Sequence, residues 1–263
     1  MLLLLKLILT PLLLGGVTLA GRRFGPTVSG WLVGLPLTSG PVSFFLALEQ
    51  GRVFTAHAAL GTLMGVISLS AFCVVYCWLS LRASWVLCWI GSWAAYLAGT
   101  FVFTRIIFPL PLDLLLSVCV LGISLYILPH DNHQISKDTP VTISATWDMA
   151  LRMIIATLFV LTLTGSAAIL GPRLSGLLSP LPVFSSIVAI FAHKFEGAAA
   201  ARLVLRGILA GSFAFIAFYL AITTLIVPWG VAAAFGGALL GALLAQGCSL
   251  WLLSKRHGRQ VSG

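Results

Sequence analysis

Residues 25–45, GPTVSGWLVGLPLTSGPVSFF, return 146 positions later as residues 171–191, GPRLSGLLSPLPVFSSIVAIF. Extended without a gap, 25–72 laid on 171–218 gives 16 identities in 48 positions, where a Leu-, Ala- and Gly-heavy composition alone gives roughly a tenth. The matches include Gly25/Gly171, Pro26/Pro172, Ser29/Ser175, Gly30/Gly176, Pro36/Pro182, Ser39/Ser185, Gly51/Gly197, Gly61/Gly207 and Gly65/Gly211. Gly and Pro constrain backbone geometry rather than hydrophobicity, so shared apolar character does not explain them. The chain reads as an internal duplication. The same offset sets Lys6 on Arg152 and Thr18 on Thr164.

The duplicated block lies in a chain of 263 residues that is 60% hydrophobic and 8% charged, with a mean hydropathy of +1.10. An ordinary soluble domain is about 25% charged, so a water-soluble globule is excluded. A disordered chain needs low hydrophobicity, and a nucleic-acid binder needs a clustered basic face; the 15 Lys+Arg here are scattered. The fold class that remains is an all-α polytopic membrane protein, with the lipid bilayer as its main partner and no nucleic acid. The five cysteines fall inside apolar runs with no CxxC or Cys/His spacing, so no metal and no cofactor is expected.

A bilayer core of about 30 Å takes about 20 apolar residues per helix. Dividing the chain at its charges and Gly/Pro clusters predicts nine spans, at 1–20, 27–48, 55–80, 83–104, 106–128, 146–170, 174–195, 198–227 and 230–253. Residues 129–145 (PHDNHQISKDTPVTISA) form the one long polar connection and cannot face lipid. The domains are then a first four-helix repeat (1–104), a linker helix and polar loop (105–145), a second four-helix repeat (146–253) and a basic tail (254–263). The first span ends in Thr18-Leu19-Ala20, a tolerable signal-peptidase site, but no basic segment precedes it and its counterpart at 146–170 makes it a helix of the repeat.

Equivalent helices stand five spans apart, and an odd offset inverts the second repeat. Odd-numbered connections and the carboxyl end carry ten Lys and Arg (Arg22, Arg23, Arg82, Lys137, Lys194, Arg202, Arg206, Lys255, Arg256, Arg259), against four on the even side (Lys6, Arg52, Arg105, Arg173). That asymmetry predicts an inner-membrane protein with its amino terminus outside and its carboxyl terminus cytoplasmic. Inverted repeats are characteristic of secondary transporters.

Within the second and seventh spans, Gly and Pro interrupt the helix at matching places: Gly34-Leu35-Pro36 through Gly40-Pro41, and Pro180-Leu181-Pro182. A break frees backbone groups that lipid cannot satisfy, so these stretches face protein or a wet cavity. Pro36, Thr38, Ser39, Gly40, Pro182, Ser185 and Ser186 are the expected substrate-binding positions, their hydroxyls able to bind a polar solute or to rebond the freed backbone. Glu49 and Glu196 close the two broken spans, and Asp113 stands in the apolar fifth span; an acid in a membrane segment is expensive enough to suggest ion coupling. Against this, Glu49 and Glu196 also fit interfacial carboxylates near Arg52 or Arg202, and Asp113 fits a partner for Arg105. Lys6 and Arg152 form a repeat-related cationic pair that either faces an anionic solute or snorkels to the surface.

Other features carry less chemistry. His133 to Asp138 spells HxxxxD, but a 17-residue loop lacks the domain that acyl transfer needs. His130, Asp131 and His133 offer too few ligands for a metal, and His57 and His193 read as interfacial. Cys73 and Cys77 share a helix face and read as packing residues, while Gly236, Gly237, Gly241 and Ala245 have the spacing of a close helix contact. No nucleophile and base are paired at helical spacing, so an enzyme is not expected.

The second repeat, with Arg152, Ser175-Gly176-Leu177, Pro180-Leu181-Pro182 and Phe195-Glu196-Gly197, resembles the GlpM-type small inner-membrane proteins, with a weaker copy at 1–104. The resemblance implies a tandem fusion of two such units, and a link to exopolysaccharide production without a catalytic residue. Two functions are therefore expected: a secondary transporter or flippase of a small polar or amphipathic solute or lipid, or a non-transporting subunit that scaffolds an envelope-polymer assembly. Either is compatible with a homodimer.

Overall fold

A computed structural model describes residues 4–8, 11–12, 36, 38–106, 108–129 and 147–261, with the side chains of 147–152, 184 and 248–261 outside the description. Among the described residues the chain is helical, with no strand. The helices are α1 (Ser39–Glu49), α2 (Arg52–Leu79), α3 (Trp85–Arg105), α4 (Leu110–Ile127), α5 (Trp147–Leu178), α6 (Val183–Glu196) and α7 (Ala198–Val261); a separate helical stretch covers 4–8. Five stretches among the described residues are long and apolar enough to cross a membrane: Arg52–Leu79, Trp85–Arg105, Leu110–Ile127, Met153–Leu178 and Ala198–Gly247. Such a set fits a multi-pass membrane protein.

Four glycines make one recurring joint. Gly51 (φ 89°, ψ 172°) links α1 to α2, and Gly197 (φ 95°, ψ 172°) links α6 to α7. Gly171 (φ 74°, ψ 168°) divides α5, and Gly230 (φ 85°, ψ 176°) divides α7. Only glycine populates that region of backbone space. Gly51 and Gly197 stand 146 residues apart, so a matched pair in the sequence is also a matched pair of joints. Beside the two internal joints lie Pro172 and Pro228, each without the N–H that would carry a helix on.

Spans three to five lie where the sequence predicts them, within a few residues. The seventh span departs from a simple rod: it opens as 172–178, unwinds at 179–182 and resumes as α6. Of the second span the described part is Pro36 and α1, and most of the first span and the 130–146 loop lie outside the described residues. The final helix continues through Lys255 and Arg256 to Val261, where a tail was expected from 254. Lys and Arg are good helix formers, so charge ends the apolar span without ending the helix.

At the centre is α2, buried along most of its length, whereas α3 and α4 present their outer faces. Those faces carry Leu87, Ile90, Leu97 and Phe101 on α3, and Leu115 and Ile123 on α4, all exposed. Lipid, unlike water, exacts no penalty for them. At one end of α2, Arg202 Nη1 donates to Ser80 Oγ at 3.1 Å. At the other end, the Arg52 guanidinium lies over Gly230. Helix α2 and the first rod of α7 therefore run antiparallel. Since α1 feeds α2 through Gly51 and α6 feeds α7 through Gly197, α1 and α6 end at opposite ends of the molecule. Their amino termini point inward: Ser43 of α1 bonds Tyr219 well inside α7, and Ser186 of α6 bonds Trp93 well inside α3.

The closest helix contact is a glycine seam between α2 and 172–178. A Cβ on Gly61 would stand 2.5 Å from the Arg173 carbonyl oxygen, and one on Gly176 would overlap the Ala58 carbonyl oxygen. Thr62 Oγ1 donates across the seam to the Gly176 carbonyl at 3.1 Å. Cys73 and Cys77 are buried, as packing residues are. In the last rod, Ala234, Ala238 and Ala242 form the fully buried stripe, while Gly236 meets nothing within 4 Å. The small-residue contact expected from spacing holds at Gly237, whose Cβ would stand 2.9 Å from Leu225 Cδ1, and at Gly241, 3.7 Å from the Ala217 carbonyl oxygen, but not at Gly236.

Candidate functional site

The two interrupted stretches meet. Ser39 Oγ, at the start of α1, donates to the Ser179 carbonyl at 2.8 Å in the 179–182 break, across 140 residues of sequence. The break leaves carbonyls without helical partners, and side chains take them up: Tyr96 Oη on Leu177 at 3.0 Å and Ser39 Oγ on Ser179, while the Gly176 carbonyl accepts both Ser179 N–H and Thr62 Oγ1. Leu181 N–H bonds the Leu178 carbonyl at 3.1 Å. Each bond replaces one that lipid could not offer. Neither α1 nor α6 has a side-chain cap at its amino terminus; Gly40, Val183 and Ser186 N–H bond back to the Pro36, Leu181 and Pro182 carbonyls, and the positive ends of the two helix dipoles face the interior.

Around this junction, Pro36 is buried and its carbonyl accepts from Gly40 N–H at 2.7 Å. Thr38 precedes α1 and is half-buried. Gly40 lies against Phe218, with room for a Cβ 3.8 Å from its ring. Pro182 leads into α6, and its carbonyl accepts from Ser186 N–H. Ser185 and Ser186 are buried in the first turn of α6, where Ser186 Oγ accepts from Trp93 Nε1 at 3.0 Å. All seven sequence-predicted binding positions thus border the two inward-pointing helix ends. Gly34, Leu35 and Leu37 lie outside the described residues.

The charged positions separate into different environments. Lys6 is 6% exposed. Its Nζ lies 2.7 Å from Glu49 Oε1 and donates to Glu49 Oε2 at 2.8 Å and to Thr164 Oγ1 at 2.7 Å. Thr164 spends its own proton on the Val160 carbonyl at 2.6 Å, which leaves a lone pair for the ammonium. The Phe45 ring, 5.6 Å away, adds its π face. So Lys6 does not snorkel; the side chain of Arg152, the other member of the expected cationic pair, lies outside the described residues. Glu196 is exposed as the last residue of α6. Asp113 is buried in the first turn of α4 with no partner for Oδ1, and Arg105 turns instead to the Phe101 ring at 5.6 Å.

Sequence reading did not single out Thr62, Tyr96, Thr164, Tyr219 or Arg173. Thr164 had a signal, because Thr18/Thr164 travels with Lys6/Arg152 at the repeat offset. Tyr219, whose Oη accepts from Ser43 Oγ at 3.0 Å, and Tyr96 had none beyond being hydroxyls in apolar spans. His193 Nδ1 lies 3.3 Å from Tyr76 Oη, near one end of the molecule. Among the described residues no three His, Cys, Asp or Glu side chains gather as metal ligands, and His130, Asp131 and His133 lie outside them.

Comparison with protein-family models, with curated proteins and with solved structures finds no match.

Proposed function

We propose that this chain is an inner-membrane secondary transporter or flippase of a small polar or amphipathic solute, with its site at the junction of the two interrupted helices. The observation that carries the reading is the Ser39 to Ser179 bond: it joins two breaks that the sequence duplicates, with α1 and α6 directing uncapped amino termini inward. Interrupted helices whose ends converge inside the bilayer are a recurring way to hold a polar solute there. Nine spans arranged as two inverted four-helix repeats follow on this reading. The antiparallel course of α2 and the first rod of α7, which are repeat mates, supports it. So does the gathering of Arg202 and Arg206 at the end of the molecule where α2 and α4 finish. By the excess of Lys and Arg, that end is the cytoplasmic one.

A second reading is a GlpM-like, non-transporting subunit of an envelope-polymer assembly. It is favoured by one observation: the carbonyls freed at the break are bonded within the chain, as a static fold requires. Two-sided accessibility separates the two. Gly40→Cys, on a background without other cysteines, fits its space; alternating access predicts modification by a small membrane-impermeant thiosulfonate in both right-side-out and inside-out vesicles. No modification from either side refutes transport through this junction.

A further inference from the structure

Three acidic side chains fall among the described residues, and two have an evident electrostatic settlement. Glu49 is ion-paired to Lys6, and Glu196 is exposed. Asp113 is the third. It is 1% exposed, and its Oδ1 has no hydrogen-bond partner. A carboxylate buried without a contacting cation or a full set of donors is among the costlier things a membrane helix can carry.

Among the described residues, the ionisable groups of the elements packed with α4 are engaged elsewhere or exposed. One turn along α4, Ser117 Oγ donates to the Leu63 carbonyl of α2 at 3.0 Å rather than to the acid. Of the ionisable residues in the first two turns of α2, Arg52 lies over Gly230 and His57 is exposed; Cys73, Tyr76 and Cys77 lie in its last two turns. From α3, Arg105 covers the Phe101 ring. From α7, Arg206 reaches Leu125 at the far end of α4. Arg173, on the short rod 172–178, lies beside the same stretch of α2 as Asp113: its carbonyl closes on Gly61, two residues before the Leu63 carbonyl that Ser117 bonds, which brings its charge within electrostatic reach of the acid. Yet its Nη2 donates to the Phe103 carbonyl at 2.7 Å, so the two are electrostatic neighbours without being an ion pair. Arg173 also lies outside the symmetry of the duplication: its counterpart is Thr27, and Asp113 sits in the unduplicated linker helix.

We infer that Asp113 is the site at which this protein takes up and releases a proton, with Arg173 as the positioning cation that balances its charged state. The inference rests on the transporter reading and names its coupling ion. A proton is favoured over a metal cation because one orphan carboxylate oxygen suffices for it, whereas hard cations take several oxygens. With the proton bound, Asp113 is a neutral donor beside a fixed cation; with the proton gone, the two charges offset each other. Arg173 belongs to the rod that runs into the 179–182 break, so the charge on Asp113 acts on the element that forms the proposed site.

The test uses the full chain reconstituted in phosphatidylethanolamine and phosphatidylglycerol vesicles on a solid-supported membrane, with a pH jump as the probe. A charge-displacement transient is expected in the wild type, lost in Asp113→Asn and restored in Asp113→Glu. Arg173→Gln should keep the transient but move its pH midpoint, which a purely structural residue would not do. Should Asp113→Asn fail to fold, infrared difference spectra of the wild type between acidic and alkaline buffer decide: a carboxylic-acid band that appears on acidification in the dark interior, resistant to exchange, supports the assignment. An unchanged transient in Asp113→Asn, or no transient and no such band in the wild type, overturns it. Two-sided labelling of Gly40→Cys without a transient would leave transport standing and remove only the proton.

Discussion

The Lys6 ammonium and the Glu49 carboxylate, 2.7 Å apart, tie the first span to the end of α1, and Thr164 adds α5 to the same cluster. Three elements far apart in sequence thus share one charge pair. Removing one partner leaves the other charge uncompensated, which is costlier than removing both. Glu49→Gln should destabilise the protein by about 3 kcal/mol, the low end for a buried pair because Glu49 is partly exposed. Lys6→Met with Glu49→Leu should recover much of that loss. Thermal unfolding in detergent for the two single variants and the double variant gives the coupling; additive losses would mean the pair contributes nothing as a pair.

Gly176→Ala should be among the most damaging single substitutions in the chain. Its Cβ meets backbone, the Ala58 carbonyl, which no side-chain rotation can clear. Because α2 and the short rod must separate, Thr62 loses its bond to the Gly176 carbonyl and keeps only the Ala58 carbonyl of its own helix. The cost expected is at least the roughly 1–3 kcal/mol of overpacking, read as a lowered melting temperature. Gly122→Ala, which meets open space, is the matched control and should change little.

Gly51→Ala and Gly197→Ala probe the joints without any steric contact, since nothing lies within 4 Å of either Cβ. Any loss is backbone strain at positive φ, about 1–3 kcal/mol each. Similar losses at the two positions are expected from their matching angles; a loss at only one would show that the two joints differ in the membrane.

Pro36→Ala and Pro182→Ala should insert normally but impair two-sided labelling of Gly40→Cys, because each restores a donor where the chain is interrupted. Ser39→Ala removes the bond between the two breaks and leaves a buried carbonyl short of a partner, a loss of about 1–3 kcal/mol. Unchanged labelling with both prolines replaced would dissociate the breaks from access.

Single cysteines at Leu81 and Val227 test the inverted repeat. The positions are 146 apart, and both side chains are exposed. An inverted repeat requires labelling from opposite sides of the membrane; labelling from one side would make the repeats parallel.

The breaks were legible because Gly and Pro constrain backbone wherever they stand. The Gly51 and Gly197 joints and the unwound 179–182 stretch lie at such residues, and the duplication marked them twice. The charge pairs were not legible. Lys6 and Arg152 invited comparison with each other because the offset aligns them, but Glu49 sits opposite Phe195 at that offset, one residue from Glu196, and which carboxylate reaches which ammonium depends on how helices rotate against one another. The same reason added Ala234, Ala238 and Ala242 to the packed face of the last rod and left Gly236 out of the contact that Gly237 and Gly241 make.

By itself, the sequence determined that this is a helical chain made for lipid, where it duplicates and where its helices must break, since hydropathy and the backbone limits of Gly and Pro are local properties. Tertiary structure alone decided that the two breaks touch through Ser39 and Ser179, that Glu49 answers Lys6, and that Asp113 is left with Arg173 nearby and no bond to it. Those are contacts across more than 40 residues, chosen by the rotation and depth of packed helices, and no local pattern encodes them.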